Sequence, residues 1–193
     1  MILNDREIIE EQIISPILPY QARVSHTGYP IISKGLSSYG YDISLGNQMK
    51  AFKQRTLNNT SPIDPKAFNP DLLVDLDLHQ SDKGAYFILP RHTYALGVSI
   101  EHFTLPSNCF GVLTGKSTLA RSGLILNTTP LEPGWSGHLT LEMFNAADQD
   151  LMVYAFEGIG QVHFFTGNRP EITYADRQGK YQYQGAEIVT ARV

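Results

Sequence analysis

Short runs of β-forming residues follow one another along the second half of the chain, with turn-forming residues between them. Apolar patterns of this kind, over about four to eight residues, are typical of strands. The runs cover residues 86–89, 94–100, 110–113, 124–126, 138–144, 151–154 and 161–165, and an earlier one covers 43–45. Evenly spaced short strands are typical of a sandwich or barrel, so the pattern predicts a mainly β fold.

A short helix is expected near the N-terminus. Asn4 followed by Glu7 fits a capping box, and a helical period of apolar residues continues to Ile13 until Pro16 stops it. Residues 53–82, in contrast, are polar and interrupted by prolines, which predicts a long segment with little regular structure.

A second short helix is expected between Gly115 and Gly123, with Ser117 as its N-cap and Gly123 as its stop. The free amides at such a helix start favour an anion, and Lys116 adds a positive charge there. Ser117 and Arg121 are one helical turn apart, so a phosphate or a polarised water could meet both. The alternative is a capped surface helix with a solvated arginine.

The predicted strand at 138–144 carries one acidic residue. Alternation assigns one face to Leu139, Leu141 and Met143 and the other face to Thr140, Glu142 and Phe144. Beside an aromatic ring, the Glu142 carboxylate would be partly desolvated, which raises its pKa and suits it to proton transfer. The alternative is an outward glutamate on a half-exposed strand. Trp135, in the preceding turn, either walls a pocket or plugs the barrel end.

Composition narrows the function classes. The net charge of −4 argues against a general nucleic-acid or membrane-surface binder, although a small anion could bind a local cationic pocket. The single cysteine, Cys109, excludes an intramolecular disulfide, and the six histidines show no HxH or HxxxH spacing, so a zinc site is not expected. The N-terminus resembles no signal peptide and no apolar run is long enough to span a membrane, which predicts a soluble cytoplasmic protein.

Six segments, in this order, resemble the dCTP deaminase branch of the trimeric dUTPase superfamily. They are Ser37-Ser-Tyr-Gly-Tyr-Asp42, Gly115-Lys-Ser-Thr-Leu-Ala-Arg121, Glu132-Pro-Gly-Trp-Ser-Gly137, Leu141-Glu-Met-Phe-Asn145, Gly158-Ile-Gly-Gln161 and the tail from Tyr174 to Gln184. The resemblance covers nearly the whole chain and is closest over residues 85–185.

The resemblance implies a single domain over residues 1–193, a distorted jelly-roll of the dUTPase-like type, with a tail at 170–193 that closes over the active site. It also implies a homotrimer with active sites at subunit interfaces. The implied reaction is hydrolytic deamination of dCTP to dUTP and ammonia, supplying dUTP for dUMP and dTTP synthesis. Magnesium would be carried on the triphosphate, and dTTP is a known inhibitor in the family.

Matching positions imply the site residues. Glu142 would be the general acid and base, with Ser117 and Arg121 placing the water and the cytosine. The implied nucleotide-binding residues are Lys116, Thr118, Leu119, Ala120, Glu132, Trp135, Thr140, Leu141, Gln161, Tyr174, Lys180 and Gln184. A zinc-activated water is not expected, because the H-x-E…P-C-x-x-C signature of zinc deaminases is missing from this sequence.

Three alternatives remain open. A dUTPase is disfavoured by Gly134-Trp-Ser-Gly137 and by the tail, which differ from dUTPase motifs. A bifunctional enzyme giving dUMP and diphosphate is favoured by the acid at Glu132 and disfavoured by the short segment from Arg121 to Pro133. A non-catalytic nucleotide-binding trimer is disfavoured because Glu142 and its two expected partners are all present.

Overall fold

Strands dominate the structure, a computed structural model that describes residues 1–54 and 61–193. In chain order the elements are α1 (Asp5–Glu10), β1 (Ile14–Ser15), β2 (Gln21–Val24), β3 (Pro30–Ser37), β4 (Gly40–Phe52), β5 (Leu73–Asp75), β6 (His79–Ser81), β7 (Gly84–Leu89), β8 (Tyr94–Thr104), β9 (Cys109–Gly115), α2 (Ser117–Arg121), β10 (Leu124–Asn127), β11 (Ser136–Asn145), β12 (Leu151–Tyr154) and β13 (Gly158–Thr166). The mainly β prediction with two short helices is confirmed.

Two sheets enclose the core. Among the described residues, one sheet has ten strands with the path β10-β11-β8-β4-β13-β9, joined by β1, β2, β3 and β5, and the other has the order β12-β7-β6. Phe87 comes from the smaller sheet, Phe103 and Phe164 come from the larger one, and all three are fully buried in one cluster. Buried apolar area shared by both sheets is therefore what holds them together.

Each predicted strand is present, and most extend beyond the predicted ends. β4 differs most, because it runs for 13 residues where only 43–45 were predicted. Gly46-Asn47-Gln48 breaks the apolar pattern, and the pairing of β4 with β8 shifts register between Leu45 and Met49. This bulge accommodates residues that a regular alternation would exclude.

The capping box of α1 is confirmed. The Glu7 amide donates to Asn4 Oδ1 at 3.1 Å, and the Asn4 amide donates to Glu7 Oε2 at 2.9 Å. The prediction that this helix continues towards Pro16 is wrong, since it ends at Glu10. Ile13 is fully buried and its carbonyl accepts from Thr104 on β8, so pairing with the sheet replaces the last predicted turn.

The start of α2 differs from prediction by one residue. Its N-cap is Lys116, which makes no side-chain capping bond, so the prediction of Ser117 as N-cap is wrong. Gly123 follows the helix with a φ of +93°, a conformation that favours glycine, and it ends the helix as predicted.

The polar segment 53–82 has little regular structure where it is described. Between residues 61 and 82 it holds one 3₁₀ turn at Pro70–Leu72 and the three-residue strands β5 and β6. Residues 55–60 lie outside the described part of the chain.

Candidate active site

The alternation of β11 places Glu142 away from the core. Leu139, Leu141 and Met143 are buried, as predicted, while Thr140 and Glu142 lie half-buried on the opposite face. Glu142 therefore lies on the outward face of β11. Whether its carboxylate is solvated depends on what covers that face.

A cavity of about 320 Å³ covers the Glu142 face of β11. Aromatic side chains form part of its wall: the Phe52 ring packs edge-on against Phe68 and Tyr94, with centroids 6.0 and 5.7 Å apart. Trp135 forms another part of the wall. The space and the apolar walls suit a planar ring of pyrimidine size.

Burial raises the pKa of Glu142 to about 7. The cause is desolvation of the carboxylate, and Glu142 Oε2 is buried without a hydrogen-bond partner among the described residues. Burial and the nearby Glu142 charge also raise the pKa of Tyr94, which places the two groups in one electrostatic environment. A carboxyl group with this pKa takes up and releases a proton near neutral pH.

The C-terminal tail lies along β11 and over this cavity. The Trp135 indole donates to the Tyr181 carbonyl at 2.9 Å, and the Gln184 side chain donates to Thr140 Oγ1 at 2.6 Å. The His138 amide donates to the Gln184 carbonyl at 2.9 Å. At Gly137 a Cβ would lie 2.8 Å from the Gln184 amide nitrogen, so only glycine permits this close approach.

Trp135 lines the pocket, which is one of the two roles that the sequence left open. Its ring lies 6.3 Å from the ring of Phe103 in the core, and its other side lines the Glu142 cavity. Trp135 therefore packs against the core and forms part of the cavity wall.

Within one chain, α2 does not line the Glu142 cavity. Ser117, Ala120 and Arg121 are exposed, and none of them lines the Glu142 cavity. Leu119 is buried in the core, and Thr118 lines a separate open groove. The predicted catalytic residues are thus divided: Glu142 lies on one surface of the chain, and Ser117 and Arg121 lie on another.

Lys116 forms an ion pair that sequence reasoning missed. Its Nζ lies 2.8 Å from Asp42 Oδ2, and the side chains are 13% and 1% exposed. Asp42 also accepts from the Gln21 side-chain amide at 2.8 Å and the Ser33 hydroxyl at 3.2 Å. Two of the family-like segments therefore meet here, and the Lys116 charge is balanced within the chain.

Replacing Lys116 by Met should lower the free energy of unfolding by about 3–5 kcal/mol, because it leaves the Asp42 carboxylate buried without its cation. The exposed Lys66→Met is the matched control, with an expected change near zero. Denaturant unfolding at one fixed protein concentration measures both. Equal stability of the two variants would contradict the importance of the pair.

The remaining predicted residues divide between the cavity and other surfaces. Glu132, Tyr174 and Gln184 line the Glu142 cavity. The Leu141 side chain points into the core, Gln161 lies on β13 opposite Asp42, and Lys180 is exposed over the Tyr181 ring. Glu132 forms an ion pair with Arg177 of the tail. Phe52, Tyr94 and Thr128 line the cavity without any local sequence signal that would have identified them, and Tyr181 lines it from the tail that was expected to close over the site.

Within residues 1–54 and 61–193, no cluster of three or more His, Cys, Asp or Glu side chains has a metal-binding arrangement. None of the helices described there is long and apolar enough to span a membrane.

The two-sheet fold and the half-buried acid beneath the tail define a mainly β protein with a candidate catalytic carboxylate. A crystal structure of 2'-deoxycytidine 5'-triphosphate deaminase from Agrobacterium tumefaciens shares the fold, with a TM-score of 0.56 and 16% identity, over 86% of this chain and 48% of that chain. A family model described as dCTP deaminase-like matches residues 6–167. The chain belongs to the dCTP deaminase-like family.

The sequence similarity to curated relatives covers more of the chain than the family model matches. The dCTP deaminase of Alcanivorax borkumensis is 42% identical over 93% of this chain and 90% of its own length. The dCTP deaminase of Chlamydia muridarum is 44% identical over 91% of this chain and 89% of its own length.

Proposed function

We propose that this protein is an enzyme that hydrolyses dCTP to dUTP and ammonia. The observation that carries the proposal is Glu142, whose carboxyl group has a pKa of about 7 and lies in a cavity with aromatic walls. One of its oxygens is buried and has no hydrogen-bond partner among the described residues. The names of the relatives support dCTP as the substrate.

Deamination needs one group that first accepts and then donates protons. A water adds to C4 of cytosine while Glu142 takes its proton, and the electrons of the C4–N3 double bond move to N3. Glu142 returns that proton to N3. It then takes the remaining hydroxyl proton and delivers it to the amino group, which leaves as ammonia as the C4 carbonyl forms. A carboxyl group with a near-neutral pKa is matched to both directions of transfer.

The complete site requires a second subunit in this proposal. We place Ser117 and Arg121 of a neighbouring copy beside Glu142, in a homotrimer with one site at each interface. Support comes from two observations: the Ser117 and Arg121 side chains are exposed, and Glu142 Oε2 has no hydrogen-bond partner among the described residues. A guanidinium and a hydroxyl are donors of the kind that a buried carboxylate and a water need.

The triphosphate would arrive with magnesium bound, as part of the substrate. Its negative charge would meet Lys180 of the tail, together with Arg121 at the end of α2 of the adjacent copy. The tail already lies over the cavity through Gln184 and Tyr181, so nucleotide binding would add contacts to an ordered segment. A dTTP molecule shares the sugar and the triphosphate, and we propose it as a competing inhibitor.

The product is assigned as dUTP, which would supply dUMP and dTTP synthesis. Glu132 is the acid that a bifunctional enzyme would need for phosphate cleavage, and here it is ion-paired with Arg177 of the tail. This ion pair occupies the carboxylate that phosphate cleavage would require.

One assay separates the candidate functions. The purified protein is incubated with dCTP and magnesium, ammonia is measured, and nucleotides are resolved by chromatography. We expect ammonia and dUTP in equal amounts. Ammonia with dUMP and diphosphate would establish the bifunctional enzyme. Nucleotide binding without ammonia would establish a non-catalytic binding protein and refute the proposal.

A further inference from the structure

A second unpartnered oxygen lies in the same cavity as Glu142. Within the described residues, the buried side-chain atoms without hydrogen-bond partners are Glu142 Oε2 and Thr128 Oγ1. Both residues line the same cavity. Thr128 follows β10 directly, and its neighbour Asn127 lies opposite Glu142 in the pairing of β10 with β11.

Two such atoms in one cavity indicate a shared polar ligand. Native proteins rarely leave buried oxygens unsatisfied, because water that solvates them in the unfolded chain is lost on folding. A carboxylate only accepts hydrogen bonds, whereas a hydroxyl both donates and accepts. A water molecule suits this pair because it donates one hydrogen to each oxygen and keeps a lone pair free.

We propose that Thr128 Oγ1 and Glu142 Oε2 together bind the water that attacks the substrate, an inference that rests on the proposed deamination. The water donates one hydrogen to Glu142 and the other to Thr128, and its free lone pair faces C4 of cytosine. When the oxygen bonds to C4, the first hydrogen passes to Glu142 as a proton. The second stays on the new hydroxyl group, and the C4–N3 electron pair moves to N3.

The isosteric variant Thr128→Val tests this role because it removes the hydroxyl and keeps the shape. We expect kcat to fall by at least about tenfold with little change in KM, since the water loses its orientation while the nucleotide keeps its contacts. The melting temperature should stay the same or rise, because the removed hydroxyl has no hydrogen-bond partner in the part of the chain that the structure describes. A fall in activity without a fall in stability would not arise from a structural role.

Two further variants complete the experiment. Thr128→Ser keeps the hydroxyl and should retain most of kcat. Thr27→Val makes the same chemical change at an exposed position outside the cavity and should match wild type. Ammonia release and thermal unfolding are measured for all four proteins.

Each of the other outcomes refutes either the role of Thr128 alone or that role together with the proposed deamination. Wild-type kcat in Thr128→Val refutes the role of Thr128 and leaves deamination standing. Loss of activity in both Thr128 variants, or a lowered melting temperature in Thr128→Val, shows that the residue acts through packing and also refutes the role. A wild-type protein that releases no ammonia from dCTP refutes the proposed function and this inference together.

Discussion

Replacing Glu142 by Gln should lower the turnover of dCTP by about 10³-fold and leave nucleotide affinity nearly unchanged. The amide has almost the same shape as the carboxyl group, but it accepts no proton from water and returns none to N3. The cavity walls and the tail are untouched by the change. The loss should therefore appear in kcat, while the dissociation constant of dCTP measured by calorimetry stays close to the wild-type value.

Glu171→Gln is the matched control for this variant. Glu171 is exposed and lies outside the Glu142 cavity, so the same chemical change there should leave kcat unaltered. Wild-type turnover in Glu142→Gln would refute the acid–base role, and loss of binding in that variant would indicate a collapsed cavity instead.

The free energies of unfolding of wild type and Glu142→Gln should depend differently on pH. Burial raises the pKa of Glu142 from its ordinary value of 4.5 to about 7 in the folded chain. The folded state therefore binds a proton that the unfolded state has released, and this contribution is complete below pH 4.5 and lost as the pH rises through about 7. Glu142→Gln carries no charge at any pH, so its stability relative to wild type should increase over that interval.

Other titratable groups do not invalidate the comparison between wild type and Glu142→Gln. Glu101 is buried with a pKa of about 7, but it is present in both proteins and its effect cancels. The titratable groups that share the cavity with Glu142 are Tyr94, Glu132, His138, Tyr174 and Tyr181. Unfolding curves from pH 4 to pH 9 that run parallel for the two proteins would contradict the raised pKa.

Two inactive variants should restore activity when their subunits are mixed. Glu142→Gln and Arg121→Ala damage opposite halves of the proposed interface site. In a homotrimer that contains both variants, one of the three sites would combine an intact Glu142 with an intact Arg121 from the next subunit. We expect about a third of the wild-type activity from these mixed trimers, against nearly none for either variant alone.

The experiment uses co-expressed subunits with different affinity tags, so that only mixed assemblies are purified and assayed for ammonia. A mixture of Glu142→Gln with Thr128→Val is the control, because both changes lie on the same side of the site and no mixed site is intact. Absence of recovery in the Arg121 mixture would mean that the two residues act within one chain, or that Arg121 has no role.

Local rules predicted much of the fold. The alternation of β11 identified which side chains face the core, and the Asn4–Glu7 capping box identified the start of α1. Both features depend on residues close together in the chain, where backbone geometry allows few alternatives. A distant partner caused the error at Ile13, whose carbonyl accepts a hydrogen bond from Thr104 on β8 where the predicted helix would have continued.

The sequence by itself determined the strand pattern, the acid on the outward face of β11 and the family resemblance. Only the tertiary structure decided which tail contacts cover the Glu142 face, that Asp42 neutralises Lys116, and that Thr128 shares the cavity. It also decided that α2 lies apart from Glu142 within one chain. The reason is physical: periodicity assigns a side chain to a face, whereas its charge state and partners depend on segments that packing brings together from far along the chain.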